Sequence, residues 1–222
     1  MSESGFSLFK DKRVLITGGS GELGMALVAR LLKFGAQITL TTRSGELASN
    51  SLVKSGENIK VVRVDLSKYD EVIKSEINEE YDSVFHLVGG YNQSSVNSYS
   101  EEGLKELLEQ LVVSTANLVD RVKESLIGRN ARFVYVSTSY KVSANNTAYT
   151  VSKLGAENYL SGLSNYLSRK GAGAIMSGAV QIYKVREIGG EGGLSVEKIV
   201  DKIVENYELG SFSKDLGNES KE

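Results

Sequence analysis

The chain contains no cysteine and no proline among its 222 residues, and its only histidine is His86. Without cysteine it forms no disulfide and has no thiolate nucleophile, which fits a reducing compartment, and we expect a cytoplasmic protein. One histidine leaves almost no material for a Ser–His hydrolase or a histidine-rich metal site, so no metal is expected. Without proline, no loop has a ring-locked φ angle, and glycine marks the breaks between elements instead.

A strong charge of one sign and long apolar runs are also missing. The formal net charge is -2, so no global basic field favours binding to nucleic acid or to a membrane surface. Apolar runs such as 111–113 are far too short to span a bilayer, and residues 1–10 lack the basic-then-apolar pattern of a secretory signal. Hydrophobic residues make up 41% and charged residues 24%, as in one globular domain, which we expect to comprise residues 1–222.

Short apolar runs alternate with helical patterns along the whole chain. Because strands that alternate with helices imply right-handed βαβ units, we expect an α/β fold, a doubly wound parallel sheet of about six to seven strands with helices on both faces. The predicted strands are 13–17, 37–42, 59–64, 83–88, 132–136 and 174–180. Helices are predicted over 23–32, 67–77, 104–122, 149–167 and 196–207. No last strand can be placed, and the polar tail 211–222 is expected to fray.

The first predicted strand ends in a glycine-rich turn that opens a helix, Thr17-Gly18-Gly19-Ser20-Gly21-Glu22-Leu23-Gly24. Glycines here allow a sharp turn and let backbone N–H groups approach a pyrophosphate, which the dipole of the following helix favours. Gly24 would let that helix pack close to the strand. A tight turn alone also explains such a loop, but its position predicts a Rossmann-type dinucleotide site. The candidate cofactor-binding residues are Gly18, Ser20, Gly21, Glu22 and Leu23.

Residues at the ends of the next two strands are further cofactor candidates. The second strand ends without an acidic residue for a ribose 2′-hydroxyl, whereas Arg43 and Ser44 can hold a 2′-phosphate. We therefore expect NADP, with NAD possible, although a solvated surface arginine is the alternative. Asp65, followed by Leu66, either contacts the adenine or starts a turn with Ser67.

The fourth predicted strand ends in Val88, Gly89 and Gly90. Backbone without side chains here can lie against the cofactor's ribose, or it can simply end the strand in a turn. His86, inside that strand, is expected to be a packed core residue rather than a catalyst.

A second group of chemically capable residues comes later in the chain. Tyr149 and Lys153 are four apart on a predicted helix and project from one face. A lysine ammonium beside a phenol lowers the tyrosine pKa toward working pH, which makes the phenol a general acid for a carbonyl oxygen. A hydroxyl at the end of the fifth strand can bond the same substrate oxygen. Such a pair is common by chance on helix surfaces, but downstream of the glycine turn it predicts catalysis.

These motifs resemble the short-chain dehydrogenase/reductase superfamily over about residues 12–180. The three-glycine loop is matched by Gly18, Gly21 and Gly24, at a spacing that looks more like the extended branch. The resemblance implies that Asp65 contacts the adenine and that Tyr149 and Lys153 are catalytic. By strand register, Thr138 matches the family's catalytic Ser/Thr, with Ser137 and Ser139 as close competitors.

The chain also departs from the family's pattern. The position of the family's catalytic asparagine holds Leu111 or Val112, which puts the asparagine-dependent proton relay in doubt. The Pro-Gly after the sixth strand is matched by Ser177-Gly178, which makes Gly178 a further cofactor candidate. The glycine-rich loop 189–193 reads as a mobile loop and as all the substrate lid there is.

The resemblance implies an NADP(H)-dependent oxidoreductase that reduces a small-molecule carbonyl or oxidises an alcohol. Two alternatives stay open: a non-catalytic NAD(P)-binding sensor or scaffold, and an isomerase or dehydratase that keeps its cofactor bound. A homodimer or homotetramer is expected, since related proteins often pair through the two helices around the Tyr/Lys pair. The apolar stripe over 104–122 suits such pairing, although core packing explains much of it.

Overall fold

The buried apolar runs predicted as strands form one parallel sheet in a computed structural model that describes residues 8–46, 58–77, 80–128, 131–170, 179–185, 194–207 and 213–216. The strand order is β3-β2-β1-β4-β5-β6-β7, and every neighbouring pair is parallel. The strands are β1 (Arg13–Thr17), β2 (Gln37–Thr42), β3 (Ile59–Arg63), β4 (Ser83–His86), β5 (Arg132–Thr138), β6 (Val180–Val185) and β7 (Ser213–Asp215). The predicted doubly wound sheet is confirmed.

Helices cover both faces of the sheet, as expected. They are α1 (Glu22–Lys33), α2 (Tyr69–Lys74), α3 (Glu101–Leu108), α4 (Ser114–Gly128), α5 (Thr147–Arg169) and α6 (Val196–Tyr207). A π-helical turn, Glu109–Val113, joins α3 to α4 and is called the π segment below. One core cluster packs α1 and α6 against the sheet through Leu27 and Ile203, and the other packs α2, α4 and α5 through Val72, Leu118 and Leu160.

Two strands differ from the prediction. The sixth strand is Val180–Val185 and shares only Val180 with the predicted range 174–180. Polar residues such as Gln181 interrupt the apolar run of this strand, so the sequence pattern did not indicate it. The buried Gln181 amide is tolerated there because it donates to the Tyr207 carbonyl at 2.9 Å. The last strand, Ser213–Asp215, lies in the tail that was expected to fray. Backbone pairing with β6 holds this short polar edge strand, so apolar patterning could not have indicated it.

Two helices also differ in detail. Helix α2 begins after Lys68 rather than after Ser67, whose hydroxyl donates to the Asp65 carboxylate instead of capping the helix. The long helix predicted over 104–122 is broken by the π segment. The stripe on that helix lies largely inside the chain, since Leu107, Leu111, Leu118 and Val122 are buried, which favours core packing as its explanation.

From β1 the chain continues toward β2 on one side of the sheet, and from β4 it continues toward β5 on the other side. A crevice therefore lies at the carboxyl ends of β1 and β4, which is the point where open α/β sheets bind ligands. Elements that follow β1 and β4 therefore meet at the carboxyl edge of the sheet. Within the described ranges, no helix has both the length and the apolarity needed to cross a membrane.

Candidate functional site

The glycine turn between β1 and α1 is fixed by close backbone contacts. Gly18 has a φ of 69°, and a Cβ there would lie 2.7 Å from the Leu87 carbonyl carbon. A Cβ on Gly24 would lie 2.6 Å from the Gly18 oxygen, so α1 packs as closely to the turn as predicted. Gly21 differs, because its Cβ would meet nothing nearer than 3.4 Å. The fold therefore requires glycine at 18 and 24, whereas at 21 glycine leaves space open in front of the helix.

A cleft of about 1120 Å³ lies in front of this turn. It brings together residues that the sequence places far apart, from the glycine turn, the ends of β2 to β6, the π segment and α5. The predicted site residues that line it are Gly18, Ser20, Gly21, Glu22, Leu23, Arg43, Asp65, Leu66, Val88, Gly89, Ser137, Tyr149 and Lys153. The glycine turn and the Tyr/Lys pair thus share one cleft.

Three described candidates, Ser44, Gly90 and Thr138, are not among the residues that line the cleft. Ser44 does not line the cleft, because its hydroxyl closes a turn by donating to the Glu46 carbonyl. Gly90 does not line it either, and a Cβ there would meet the end of the flexible Gln110 side chain, which lines the cleft. Gly178 lies outside the described residues, as does the predicted lid 189–193. Because β6 begins at Val180, Gly178 precedes the sixth strand instead of following it.

The far end of the cleft contains two cations and one carboxylate. Arg43 and Lys68 are exposed and line the wall beside β2 and β3. Asp65 lines the cleft and also accepts hydrogen bonds from the Ser67 amide and hydroxyl, so both roles weighed for it are compatible. Asn117 of α4 donates to the Leu66 carbonyl at 2.9 Å and holds this wall in place. Lys68 was not indicated by any sequence motif.

The two hydroxyls at the end of β5 have different partners. Thr138 hydrogen-bonds the Tyr149 phenol, and its Oγ1 also accepts from the Tyr140 amide at 3.1 Å. Ser137 lines the cleft, but its hydroxyl donates to Glu157, whose carboxylate pairs with Lys184 at 2.9 Å. We give the greater weight to Thr138, since its hydroxyl interacts with the Tyr149 phenol whereas the Ser137 hydroxyl is taken up by Glu157, although Thr138 is not among the residues that line the cleft.

Tyr149 is half-buried at the mouth of the cleft, with Tyr91 edge-on to its ring at 5.5 Å. Burial raises the pKa of Tyr149, and the Thr138 hydrogen bond only partly opposes that shift. The expectation that Lys153 lowers the pKa of this phenol is therefore wrong for this geometry. Lys153 is not among the groups that shift the pKa of this phenol, and its Nζ donates to the Val136 carbonyl at 3.0 Å.

Lys153 is buried, with 5% of its side chain exposed. Desolvation lowers the pKa of Lys153 to about 8, and the carboxylate of Glu157 opposes that shift. The ammonium also lies 4.9 Å from the centre of the Tyr135 ring. An amine with a pKa near working pH at the wall of a cleft is a frequent property of functional sites.

The π segment contributes polar groups that the sequence reasoning missed. Neither Leu111 nor Val112, the candidates for the asparagine position, is among the cleft-lining residues, and Leu111 is fully buried. The residues of this stretch that do line the cleft are Glu106, Glu109, Gln110 and Ser114. Since π turns shift the helix face by one residue, a regular helical projection could not place them.

The residues that line the cleft fit a dinucleotide. The cleft is large enough, glycine at 21 keeps its floor clear, and the amino end of α1 faces it with a partial positive charge. In the described part of the chain, no three His, Asp or Glu side chains form a metal-binding group. The fold and cleft define a Rossmann-type nucleotide-binding protein with a hydroxyl–phenol–lysine group at one end.

Comparisons with known proteins agree with this class. The family model described as the NAD-dependent epimerase/dehydratase family matches residues 14–180. The chain belongs to the NAD-dependent epimerase/dehydratase family, and the resemblance to short-chain dehydrogenases/reductases is confirmed.

Curated relatives are distant. Anthocyanidin reductase of Arabidopsis thaliana is 25% identical over 152 residues, which cover 67% of this chain but 42% of that protein. A 3-dehydrosphinganine reductase of the same plant is 26% identical over 173 residues, covering 72% of this chain and 51% of that protein. The chain thus spans about half of these relatives' length or less.

Solved structures support the fold. A short chain dehydrogenase from Burkholderia cenocepacia in complex with NADP has a TM-score of 0.81 at 16% identity, with 94% of this chain and 89% of that chain covered. A short chain dehydrogenase from Leptospira borgpetersenii with bound NAD+ has a TM-score of 0.71 at 17% identity, covering 95% and 90%.

Proposed function

We propose that this protein is an NADP(H)-dependent oxidoreductase that reduces the carbonyl of a small molecule. The observation that supports this most is the convergence of the glycine turn, Tyr149 and Lys153 on one cleft. A reduced nicotinamide bound there would supply a hydride to the carbonyl carbon. The residues of the chain then have to bind the cofactor, orient the carbonyl and provide a proton to its oxygen.

Tyr149 is the proton donor in this proposal. Because burial raises its pKa, the phenol is protonated at neutral pH and has a proton to give. Thr138, hydrogen-bonded to the phenol, orients the carbonyl oxygen at the same point, while Ser137 is retained by Glu157. The direction of reduction suits a neutral phenol, since oxidation of an alcohol would need the phenolate.

Lys153 is a cofactor-binding residue in this proposal. Its ammonium, which donates to the Val136 carbonyl at the cleft wall, would also donate to a hydroxyl of the nicotinamide ribose. Above about pH 8 the amine loses its charge, so cofactor binding and with it activity should fall there.

The Tyr149 variant tests the reaction. In Tyr149→Phe we expect turnover of an identified carbonyl substrate to fall by at least about a hundredfold, because general acid catalysis is worth at least that much. NADPH affinity should change little. Tyr159→Phe on the exposed side of the same helix is the matched control and should keep full activity. Full turnover by Tyr149→Phe would overturn the proposal.

Cofactor choice depends on Arg43. An exposed guanidinium at the end of β2, with Lys68 nearby in the cleft wall and no acidic residue at the same strand end, suits a 2′-phosphate. Arg43→Ala should weaken NADPH binding about tenfold and leave NADH binding within about twofold, as measured by fluorescence titration. Arg63→Ala removes another exposed arginine outside the cleft and is the control. Tighter binding of NADH than NADPH by the unaltered chain would refute the role of Arg43.

The family model's description favours one second candidate, an epimerase or dehydratase that keeps its nicotinamide bound. The test is the nucleotide content of the purified protein after denaturation. A stoichiometric amount of released NAD, together with no net reduction of carbonyls, would favour this candidate. Tight NADPH binding without any turnover would instead indicate a sensor or scaffold.

A further inference from the structure

A buried row of three side chains crosses the sheet beneath the Tyr/Lys pair. Thr17 of β1 is paired in register with His86 of β4, and His86 with Tyr135 of β5. Because residues in register on parallel strands point to the same face, the three lie side by side. All three are fully buried. We call them the buried row.

Hydrogen bonds fix the histidine in the middle of the row. Its Nδ1 lies 2.7 Å from the Thr17 hydroxyl and its Nε2 lies 2.9 Å from the hydroxyl of Thr115 on α4. The Thr115 hydroxyl donates to the Leu111 carbonyl at 2.6 Å, so toward His86 it must accept. We assign the proton to Nε2 on this basis, and Nδ1 then accepts from Thr17. Burial lowers the pKa of His86 to about 3, so the ring is neutral.

The neutral imidazole stacks on the next member of the row. The centres of the His86 and Tyr135 rings are 5.7 Å apart, with 25° between the ring planes. Above the ring of Tyr135, the Lys153 ammonium lies 4.9 Å from the ring centre. The Tyr135 hydroxyl has no hydrogen-bond partner among the described residues, so the ring rather than the hydroxyl makes the contact with Lys153. Burial raises the pKa of Tyr135, so the ring is uncharged.

We propose that Tyr135 is a positioning residue that keeps Lys153 charged by presenting its aromatic face to the buried ammonium. The geometry meets the conditions for a cation–π interaction, whose strength increases when water is excluded. Within the described ranges, the Lys153 ammonium donates one hydrogen bond, to the Val136 carbonyl, and the Tyr135 ring is its second favourable contact. The importance of this charge for catalysis rests on the function proposed above, but the contact itself does not.

Several other charged and titratable groups lie around Lys153. On its own helix, Tyr149 is neutral and Glu157 favours the ammonium, with the Lys184 side chain of β6 pairing that carboxylate. From the helix opposite, Glu106 and Glu109 line the same cleft and are exposed to solvent. His86 beneath is neutral. Among the side chains named here, Tyr135 combines burial with direct contact to the ammonium from the sheet side.

Progressive fluorination of an aromatic residue at position 135 tests the proposal. Fluorine withdraws electron density from the ring face while size and burial change little, so folding is preserved. The readout is the pKa of Lys153, followed by NMR of the side-chain Cε in ¹³C-lysine-labelled protein and assigned by its loss in Lys153→Arg. Neither a substrate nor a cofactor is needed.

In Tyr135→Phe the pKa of Lys153 should stay near its unaltered value of about 8, because the ring remains. Each added fluorine should lower it, to a total of roughly one unit in the most fluorinated variant. The same series placed at Tyr183, a buried tyrosine of β6, should leave it unchanged. A constant pKa across the series at 135 would overturn the proposal. Full turnover by Tyr149→Phe would instead refute the proposed reaction and leave this result standing.

Discussion

The two sides of the cleft are built in opposite ways. On the cofactor side, the turn from β1 into α1 is shaped by backbone contacts so close that a Cβ at Gly18 or Gly24 would collide with neighbouring backbone atoms. On the substrate side, the loops 91–100 and 140–146 are joined mainly by polar contacts, including a 3.0 Å hydrogen bond from the Asn97 amide to the Ala144 carbonyl. Exposed Tyr91 and Tyr140 project into the cleft from these loops.

This difference separates the properties that the backbone fold determines from those that exposed side chains determine. A turn fixed by excluded volume tolerates one backbone geometry and accepts any ligand with a phosphate at that point. Exposed aromatic and acidic side chains at the mouth of the cleft can change without disturbing the sheet, and we expect substrate choice to depend on them under the proposed function. Under the function proposed above, we expect a carbonyl attached to a flat, apolar group, because such a group would lie against the rings of Tyr91 and Tyr140.

Two glycine-to-alanine variants give the largest effect and test the cofactor side. Gly18→Ala combines a left-handed φ with a backbone collision and should lose about 2 kcal/mol or more of stability, together with NADPH binding. Gly21→Ala should fold with nearly unchanged stability yet bind NADPH at least about tenfold more weakly, because its Cβ points into open space in front of α1. Urea unfolding and a binding titration measure both quantities.

The control for this pair is Gly162→Ala on α5, where a Cβ would meet nothing within 4 Å. It should raise stability by about 0.5–1 kcal/mol and leave NADPH binding alone, since alanine is the better helix former. If Gly18→Ala were as stable as the unaltered chain, the cofactor side would not be shaped by excluded volume and the contrast with the substrate side would fail.

Sequence reasoning succeeded where backbone geometry and periodicity decide the structure. Apolar spacing and glycine positions predicted the doubly wound parallel sheet and the glycine turn. They also predicted that Tyr149 and Lys153 lie on the same cleft as that turn. It failed where burial is satisfied by unusual partners, as for Gln181 inside β6, and where the helix changes pitch, as at Gln110. It also could not foresee that burial would raise the pKa of Tyr149, because desolvation depends on packing.

His86 lies between the two sides, and its titration gives a smaller, well-defined effect. The unfolded chain protonates this histidine below about pH 6.5, whereas the folded chain resists until about pH 3. Unfolding therefore takes up a proton in that window, and stability falls with falling pH by up to about 1.4 kcal/mol per pH unit from this residue.

Because the chain has one histidine, His86→Gln removes the whole histidine contribution. Urea unfolding between about pH 7 and about pH 4 should show a shallower loss of stability in His86→Gln than in the unaltered chain, with carboxylate effects common to both. Parallel curves for the two proteins would mean that His86 binds protons as readily in the folded chain as in the unfolded one, which would contradict its burial in the row.

The smallest effect should come from the substrate side. Tyr91 is 65% exposed and touches Tyr149 edge-on, so Tyr91→Ala removes a surface for the substrate without opening the core. Since an aromatic contact is worth about 0.5–1.5 kcal/mol, KM for an aromatic carbonyl should rise about two- to tenfold while kcat and NADPH affinity stay nearly constant. Tyr99→Ala, in the same loop and 71% exposed but outside the cleft, should leave KM unchanged. A fall in kcat at constant KM would give Tyr91 a different role, that of holding the Tyr149 phenol in place, and the mouth would then be as rigidly specified as the glycine turn.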